Sequence, residues 1–477
     1  MRRHIIALGL TASLFGCSQS ATPTSPSTPT NVVAGDPNGG VALPDGPKAN
    51  GPWVGAAAGN DAFVAGMQET FVAVWVDVPA HSEKQGQAPA AVALVIDTSG
   101  SMGGDKIKHA REGAQRLVES LRDGDIVSLH TFSDAVQERV APVRLDSRSR
   151  QQVASIIAEL RAEGGTNLFE GVRAAGMAAM AAPASHSIRR VVLISDGNAT
   201  VGNTSTEMIS LLGEKAADRS VQITGIGVGL DYNEHALNQL AIRSSGRLYH
   251  VTDSKVLPEI VQSEIALLKS TRAANARIAV VPAPGVELLS VDGARSMNQN
   301  GTLEIPLGSM FAGQHRELIV RARVNVPSEG SHPIASVRLQ FSDPTEGNLE
   351  RVQEAVARFD VVGDARVASS RRNLKAQGVL AMLDASRTTS MAAADIDGDR
   401  FGDAEKRLEE AERNLRAAAQ QATNKQDKMR FEASAGRVSA AKAGASAAAA
   451  APPAARAETK RKKSLEANDA AMDLGGF

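Results

Sequence analysis

The stretch Ala91-Val92-Ala93-Leu94-Val95-Ile96-Asp97-Thr98-Ser99-Gly100-Ser101-Met102 decides the reading of this chain. Its first half is continuously apolar, the pattern of a strand buried on both faces of a sheet. Its second half puts a carboxylate and two hydroxyls directly after that strand, at the edge where open α/β sheets bind ligands. A helix follows at once: Ile107, Ala110, Ala114, Leu117, Val118 and Leu121 recur at spacings of three and four, which gives one buried face.

The same alternation runs on to about Leu268. Strands are predicted at Asp125 to Phe132, Val136 to Leu145, Arg190 to Ile194, Val221 to Val228 and Gly246 to Val251. Helices are predicted between and after them, at 147–160, 168–181, 206–219, 233–244 and 255–268. The fold class is therefore α/β, a doubly wound, mostly parallel six-stranded sheet covered by helices on both faces. Phe71 to Val78 reads as a further strand, and 277–362 is strand-like throughout. Together they predict an accessory β-sandwich-like region that is discontinuous in sequence. From about Ala365 the pattern is helical, with a break at Asp395-Ile396-Asp397-Gly398-Asp399. Ala404, Leu408, Ala411, Leu415 and Ala418 then form the seam of a helical hairpin or short coiled coil. The expected organisation is a signal peptide (1–17), a disordered tether (18–60), accessory strands (61–89), the α/β domain (90–270), the sandwich-like region (271–364), a helical hairpin (365–435) and a low-complexity tail (436–477). In the tail, Lys460-Arg461-Lys462-Lys463 reads as a solvated basic end.

A second carboxylate, Asp196, follows the apolar strand Val191-Val192-Leu193-Ile194-Ser195. Between the two carboxylates, Gly164-Gly165-Thr166-Asn167 opens a helix, and its glycines free the loop to bring the Thr166 hydroxyl close. Oxygen-only donors with few carboxylates fit a hard divalent cation, Mg²⁺ first and Mn²⁺ second. With no Cys or His in the set, zinc is disfavoured.

These residues resemble the metal-ion-dependent adhesion site of von Willebrand factor type A domains. Asp97, Ser99 and Ser101 match its DxSxS element, Thr166 its threonine and Asp196 its second aspartate. The resemblance covers about Ala90 to Leu268 and is specific, because three separated motifs occur in order at strand ends. It implies that the serines hold the ion directly, that the aspartates and threonine do so directly or through water, and that an acidic side chain of a protein partner completes the shell. It further implies that a change in the metal shell moves the last helix of the domain, 255–268. The wider layout is similar to bacterial extracytoplasmic proteins loosely labelled chloride-channel-like. That label does not fit here, since no later segment reaches 18 consecutive apolar residues and a helical pore is not expected.

Composition narrows the alternatives. With 52 basic and 53 acidic side chains the net charge is -1, which removes a global electrostatic case for nucleic acid. Aromatic residues are 3%, too few for a stacking platform. The one cysteine, Cys17, excludes an intramolecular disulfide and closes Leu14-Phe15-Gly16-Cys17 behind Arg2, Arg3 and a short apolar run. This resembles a bacterial lipobox and predicts lipidation at Cys17, membrane attachment through that lipid and a cell-envelope location. Ser18 after it resembles the outer-membrane sorting pattern. The Asp395-Asp397-Asp399 run lacks the Gly and Glu of a calcium loop, having Arg400 and Lys406 at those places. Gly225-Ile226-Gly227-Val228-Gly229 lacks both GxGxxG and a Walker lysine, and is expected to permit close helix packing. No motif puts a histidine beside Ser99, so the expectation is a binding protein and not an enzyme. Its function is expected to be capture of a protein that offers an Asp or Glu carboxylate. The alternative is an envelope assembly scaffold whose metal site regulates a complex, and the oligomeric state is open.

Overall fold

The computed structural model describes residues 53–80, 89–326 and 328–476. Cys17, the expected signal and most of the expected tether lie outside the described residues. Among the described residues no helix is long and apolar enough to cross a membrane.

The first strands are β1 (Val54–Ala58), β2 (Ala62–Phe63) and β3 (Gly66–Asp77). The α/β domain follows as β4 (Ala90–Asp97), α1 (Asp105–Ser120), β5 (Ile126–Phe132), β6 (Val136–Arg144), α2 (Ser147–Ala158), α3 (Leu168–Met180), β7 (Ile188–Ser195), α4 (Thr206–Ala217), β8 (Val221–Val228), α5 (Glu234–Arg243), β9 (Leu248–Val251) and α6 (Leu257–Lys269). Its sheet has the order β6-β5-β4-β7-β8-β9. All neighbours are parallel except β6, which runs antiparallel on β5 at the edge. The six-stranded, mostly parallel sheet expected from the sequence is therefore present.

Period-two alternation along the central strands explains why both faces are covered. Val92, Leu94 and Ile96 of β4 join Val192 and Ile194 of β7 against α1, α2 and α6. Ala93 and Val95 join Val191 and Leu193 against α3, α4 and α5. The chain leaves β4 toward β5 and returns on the other side as β7, so the switch in strand order falls between β4 and β7. A crevice opens at such a point, beyond the strands' carboxyl ends.

After α6 the chain passes into β10 (Thr271–Pro282), β11 (Val286–Asp292), β12 (Met297–Gln299), β13 (Thr302–Phe311), β14 (His315–Val326), β15 (Gly330–Asp343) and β16 (Leu349–Val361). Two sheets result, β1-β3-β14-β11 and β12-β13-β10-β15-β16-β2. They share one core, in which Val72, Val74 and Val320 meet Ile278, Val280, Val337 and Phe359. The sandwich does recruit Phe71 to Val78, as residues of β3 and just beyond it. Its start corrects the expected tether: Val54–Ala58 is a buried strand paired with β3. The reason lies in tertiary contact. A Cβ on Gly55 would fall 2.3 Å from the Trp75 ring and one on Gly59 2.5 Å from Phe71, so small residues that read as linker are what these rings require.

The carboxyl-terminal part also differs from expectation. It comprises α7 (Ala365–Ser370), α8 (Leu374–Asp397), α9 (Phe401–Gln421), α10 (Lys425–Ala450) and α11 (Pro453–Leu474). The expected hairpin is thus two of four long helices, and the expected low-complexity tail is helical to Leu474. Alanine has the highest helix propensity, and its short side chain lets helices approach closely without producing a visible apolar stripe. Ala435, Ala445 and Ala448 of α10 are fully buried against Leu408 and Leu415 of α9. The seam of α9 ends on Ala419, with Ala418 only partly buried. The expected break at Asp395–Asp399 starts later than expected: Asp395 to Asp397 are the last residues of α8 and only Gly398 and Asp399 turn, with Asp395 held by Arg400 at 2.7 Å and Arg407 at 2.8 Å. α8 lies on the outer face of the first sheet, where Val379 and Leu383 pack with Trp75 and Ile319.

Candidate metal centre

Asp97 ends β4 and Ser195 ends the adjacent parallel β7, so the sheet register delivers both carboxyl-terminal loops to one place. The Ser99 backbone N–H donates to Asp97 Oδ1 at 2.8 Å, and the Ser195 hydroxyl donates to Oδ2 at 2.6 Å. The Ser99 and Ser101 hydroxyls are 3.0 Å apart, and Ser101 donates to Asp196 Oδ1 at 2.7 Å. The remaining oxygen of Asp196 pairs with the Lys106 ammonium.

Thr166 arrives on the loop before α3. The Gly100 N–H donates to the Gly164 carbonyl at 3.0 Å and the Glu163 N–H to that of Thr98 at 2.7 Å, which locks the two loops together. Gly164 has a φ of +80°, and a Cβ there would meet Asp134 Oδ2 at 2.5 Å. Only glycine lets this loop dock. Thr166 is then fixed by its N–H donating to the Thr200 hydroxyl at 2.9 Å. A Cβ on Gly197 would lie 3.4 Å from Thr166 Oγ1 and 3.7 Å from Ser101 Oγ. The missing side chain of Gly197 thus leaves a space bordered by both hydroxyls.

All five residues singled out in the sequence, Asp97, Ser99, Ser101, Thr166 and Asp196, lie in this cluster. Asp97 and Asp196 are 0% and 2% exposed. Burial pushes the Asp97 carboxyl above its ordinary range, against the hydrogen bonds from Ser195 and Ser99, and the nearby Asp196 charge adds to the rise. Two buried carboxylates gathered with neutral hydroxyls form an oxygen-only set whose chemistry fits a hard cation. Among the described residues no group of three His, Cys, Asp or Glu side chains is arranged for a metal. The five residues contribute two carboxylates and three hydroxyls. No histidine among the described residues hydrogen-bonds Ser99 or Ser101.

The family model of the von Willebrand factor type A domain matches residues 91–263, the segment that carries this strand order and these loops. This segment is a von Willebrand factor type A domain. The chain is 23% identical over 276 residues to an uncharacterized protein of Synechocystis, covering 56% of this chain and 64% of that one. It is 32% identical over 187 residues to inter-alpha-trypsin inhibitor heavy chain H4 of Sus scrofa, covering 37% of this chain and 20% of that one. The chain therefore spans less than two thirds of the length of either relative. In three dimensions it is similar to a von Willebrand factor type A protein from Catenulispora acidiphila, with a TM-score of 0.67 at 17% identity over 87% of this chain and 96% of that one. At that identity the likeness speaks to fold alone.

Around the type A site, sequence reasoning missed Ser195, Lys106, Thr200 and Gly197. Ser195 and Gly197 flank Asp196 and were visible as its neighbours. Lys106 was visible as the second residue of a helix that starts beside the DxSxS loop. Nothing local marked Thr200. Gly227, expected to serve helix packing, instead makes room for the Tyr232 ring, 2.3 Å from where its Cβ would be. The basic run is not a solvated end either. In α11, Arg461 donates to the carbonyls of Leu230 at 3.1 Å and Tyr232 at 3.3 Å and pairs with Glu234 at 2.9 Å. Asn198, two residues past Asp196, donates to the Asp231 carbonyl of the same loop at 2.8 Å.

Proposed function

We propose that this chain captures a protein partner through a divalent cation, Mg²⁺ or alternatively Mn²⁺, held by Asp97, Ser99, Ser101, Thr166 and Asp196. Type A domains are protein interaction modules. The observation that carries the reading is the pair of buried carboxylates on adjacent strand ends, with the Thr166 and Ser101 hydroxyls bordering the Gly197 position and the Ser99 hydroxyl 3.0 Å from that of Ser101. A bound ion supplies a Lewis-acidic position for an Asp or Glu carboxylate of the partner. The chain's own residues do the rest. Two carboxylates balance the charge of the ion, and neutral hydroxyls avoid over-neutralising it. Ser195 and the Ser99 N–H orient Asp97, and Thr200 fixes Thr166. The reading is one of binding and not catalysis, because Ser101 donates to Asp196, an oxygen the proposed ion would share, Ser99 lies against Ser101, and no histidine among the described residues hydrogen-bonds either hydroxyl.

We further infer, from Leu14-Phe15-Gly16-Cys17 alone, that Cys17 is acylated and anchors the protein in a bacterial cell envelope, with Ser18 favouring the outer membrane. The deciding experiment is a pull-down from envelope extract with the full chain, in Mg²⁺ against EDTA and with Asp97→Ala. Partners retained only in Mg²⁺ and lost in the variant support the proposal, and identical proteins in every lane overturn it. A second reading, an envelope scaffold, is favoured by the grip of α11 on the type A domain. It requires that Asp97→Ala change the assembly state in size-exclusion chromatography with light scattering.

A further inference from the structure

Lys106 is the second residue of α1, and its ammonium sits on Oδ2 of Asp196 while Ser101 donates to Oδ1. The two donors differ in what they permit. A neutral hydroxyl can turn its lone pairs toward a cation and stay beside it. An ammonium has no lone pair and repels a divalent ion at contact distance. The Asp196 side chain is 0% exposed and that of Lys106 34%, so the carboxylate is fixed in the interior while the lysine has an open route outward. Its tip lies beside Gly229, where a Cβ would be 3.6 Å from Nζ and 3.8 Å from Cε, and the φ of +86° there favours glycine.

Charge arithmetic gives the consequence. Asp97 and Asp196 together contribute -2 when ionised, and Lys106 brings the cluster to -1. A divalent ion entering with Lys106 in place takes it to +1, whereas entry with Lys106 swung outward leaves it neutral.

We propose that Lys106 is a tethered competitor for the metal centre: its ammonium and the divalent cation contend for Asp196, so Lys106 sets the metal affinity below what the five ligands would give alone. This rests on the reading of those five residues as a metal centre. The pair is partly exposed, so its strength falls between that of a surface ion pair and a buried one. Removing the charge is therefore expected to tighten Mg²⁺ binding ~10-fold, equivalent to about 1.4 kcal/mol.

The test is calorimetric titration of Mg²⁺ into the chelator-treated full chain, as wild type, Lys106→Met, Lys106→Gln and Lys106→Arg. The two neutral variants should bind about ten-fold more tightly, and Lys106→Arg, which keeps the charge, should stay near wild type. Melting supplies a readout independent of partner binding. In EDTA, Lys106→Met should melt below wild type, because Asp196 loses its counter-charge, and the rise in Tm on adding Mg²⁺ should be larger than in wild type. Lys106→Gln retains a hydrogen-bond donor for Asp196 and carries the comparison should Lys106→Met not fold. Wild-type or weaker affinity in the neutral variants overturns the role of Lys106 and leaves the metal centre standing. Absence of Mg²⁺ binding in all four proteins overturns both.

Discussion

Arg461 of α11 donates from Nε to the backbone carbonyl of Leu230 at 3.1 Å, across 231 residues of sequence. Its guanidinium also holds Glu234, which is 8% exposed, and Asn468 donates to the other oxygen of that carboxylate. The loop so gripped is the one that Asn198 reaches from beside Asp196. The last helix of the chain is thereby fastened to the rim of the metal centre. Leu465 joins the apolar core of the type A domain below it. Truncating the guanidinium strands a buried carboxylate, a change that costs about 3 kcal/mol or more. Arg461→Met should therefore accelerate amide exchange across Pro453–Leu474 by on the order of 10²-fold, read by hydrogen exchange mass spectrometry. Wild-type protection there would show that the clasp is incidental.

Asp469 lies in the same interface, facing Arg247 and His250 of the type A domain, Glu234 of α5, and Glu466 and Asp473 of its own helix. Burial raises its carboxyl to about 7; Arg247 opposes the rise, and the neighbouring acids reinforce it. The unfolded chain releases this proton near the ordinary aspartate value of 3.8, so between 3.8 and about 7 the folded state holds one proton more. Stability is then lost as pH rises through that window and levels off above it, and because the Asp469 side chain is 39% exposed, solvent screening keeps the loss small. His250, held neutral by burial with a value lowered from 6.5 to about 3, contributes the opposite slope between those values, across most of the same window, so the wild-type profile alone does not report Asp469. Asp469→Asn isolates the carboxyl. Its Tm advantage over wild type should grow with pH and flatten above about 7, and an advantage constant across pH 4 to 8 would refute the assignment.

The Ser195 hydroxyl donates to Asp97 and hydrogen-bonds none of the other four proposed ligands, so in the proposed metal centre it orients a ligand without being one. Outer-shell groups of this kind change metal affinity by about 10- to 100-fold. Ser195→Ala is expected to weaken Mg²⁺ binding by about ten-fold in calorimetric titration while leaving the circular dichroism spectrum unchanged. An unchanged affinity would mean that the Ser99 N–H alone suffices to place Asp97.

Arg190 and Glu264 form a fully buried pair at 2.7 Å, linking β7 to α6 at the opposite end of the sheet from the metal centre, with Thr224 donating to the same Glu264 oxygen at 2.8 Å. Breaking a buried pair by removing one partner costs about 3–5 kcal/mol, whereas replacing both by apolar residues costs far less. Glu264→Leu should lower Tm markedly, and Arg190→Met with Glu264→Leu should recover much of the loss. Equal Tm values for the single and double variants would contradict this account.

How much of this was legible without coordinates depends on the range of the interaction. Continuous apolar runs fixed the central strands of the type A domain, because a strand buried on both faces needs no partner information to be recognised. Asp97, Ser99, Ser101, Thr166 and Asp196 were legible because each sits within a few residues of such a strand or of a glycine turn. Contacts between distant segments were not. The linker-like Val54–Ala58 is a strand because Trp75 and Phe71 need the space left by Gly55 within it and Gly59 just after it. The alanine-rich α10 is an ordered helix because α9 offers it a surface on which small side chains pack closely.

Charge followed the same division. The sequence by itself determined which carboxylates and hydroxyls gather at the carboxyl edge of the sheet, since strand order and local motif place them there. Only the tertiary structure decided that Lys106 takes one oxygen of Asp196, and that a basic run near the end of the chain grips the loop beside it. An isolated cation carries no mark of its partner. Its pairing is set by which buried carboxylate the folded chain brings within reach, and that depends on every element between them.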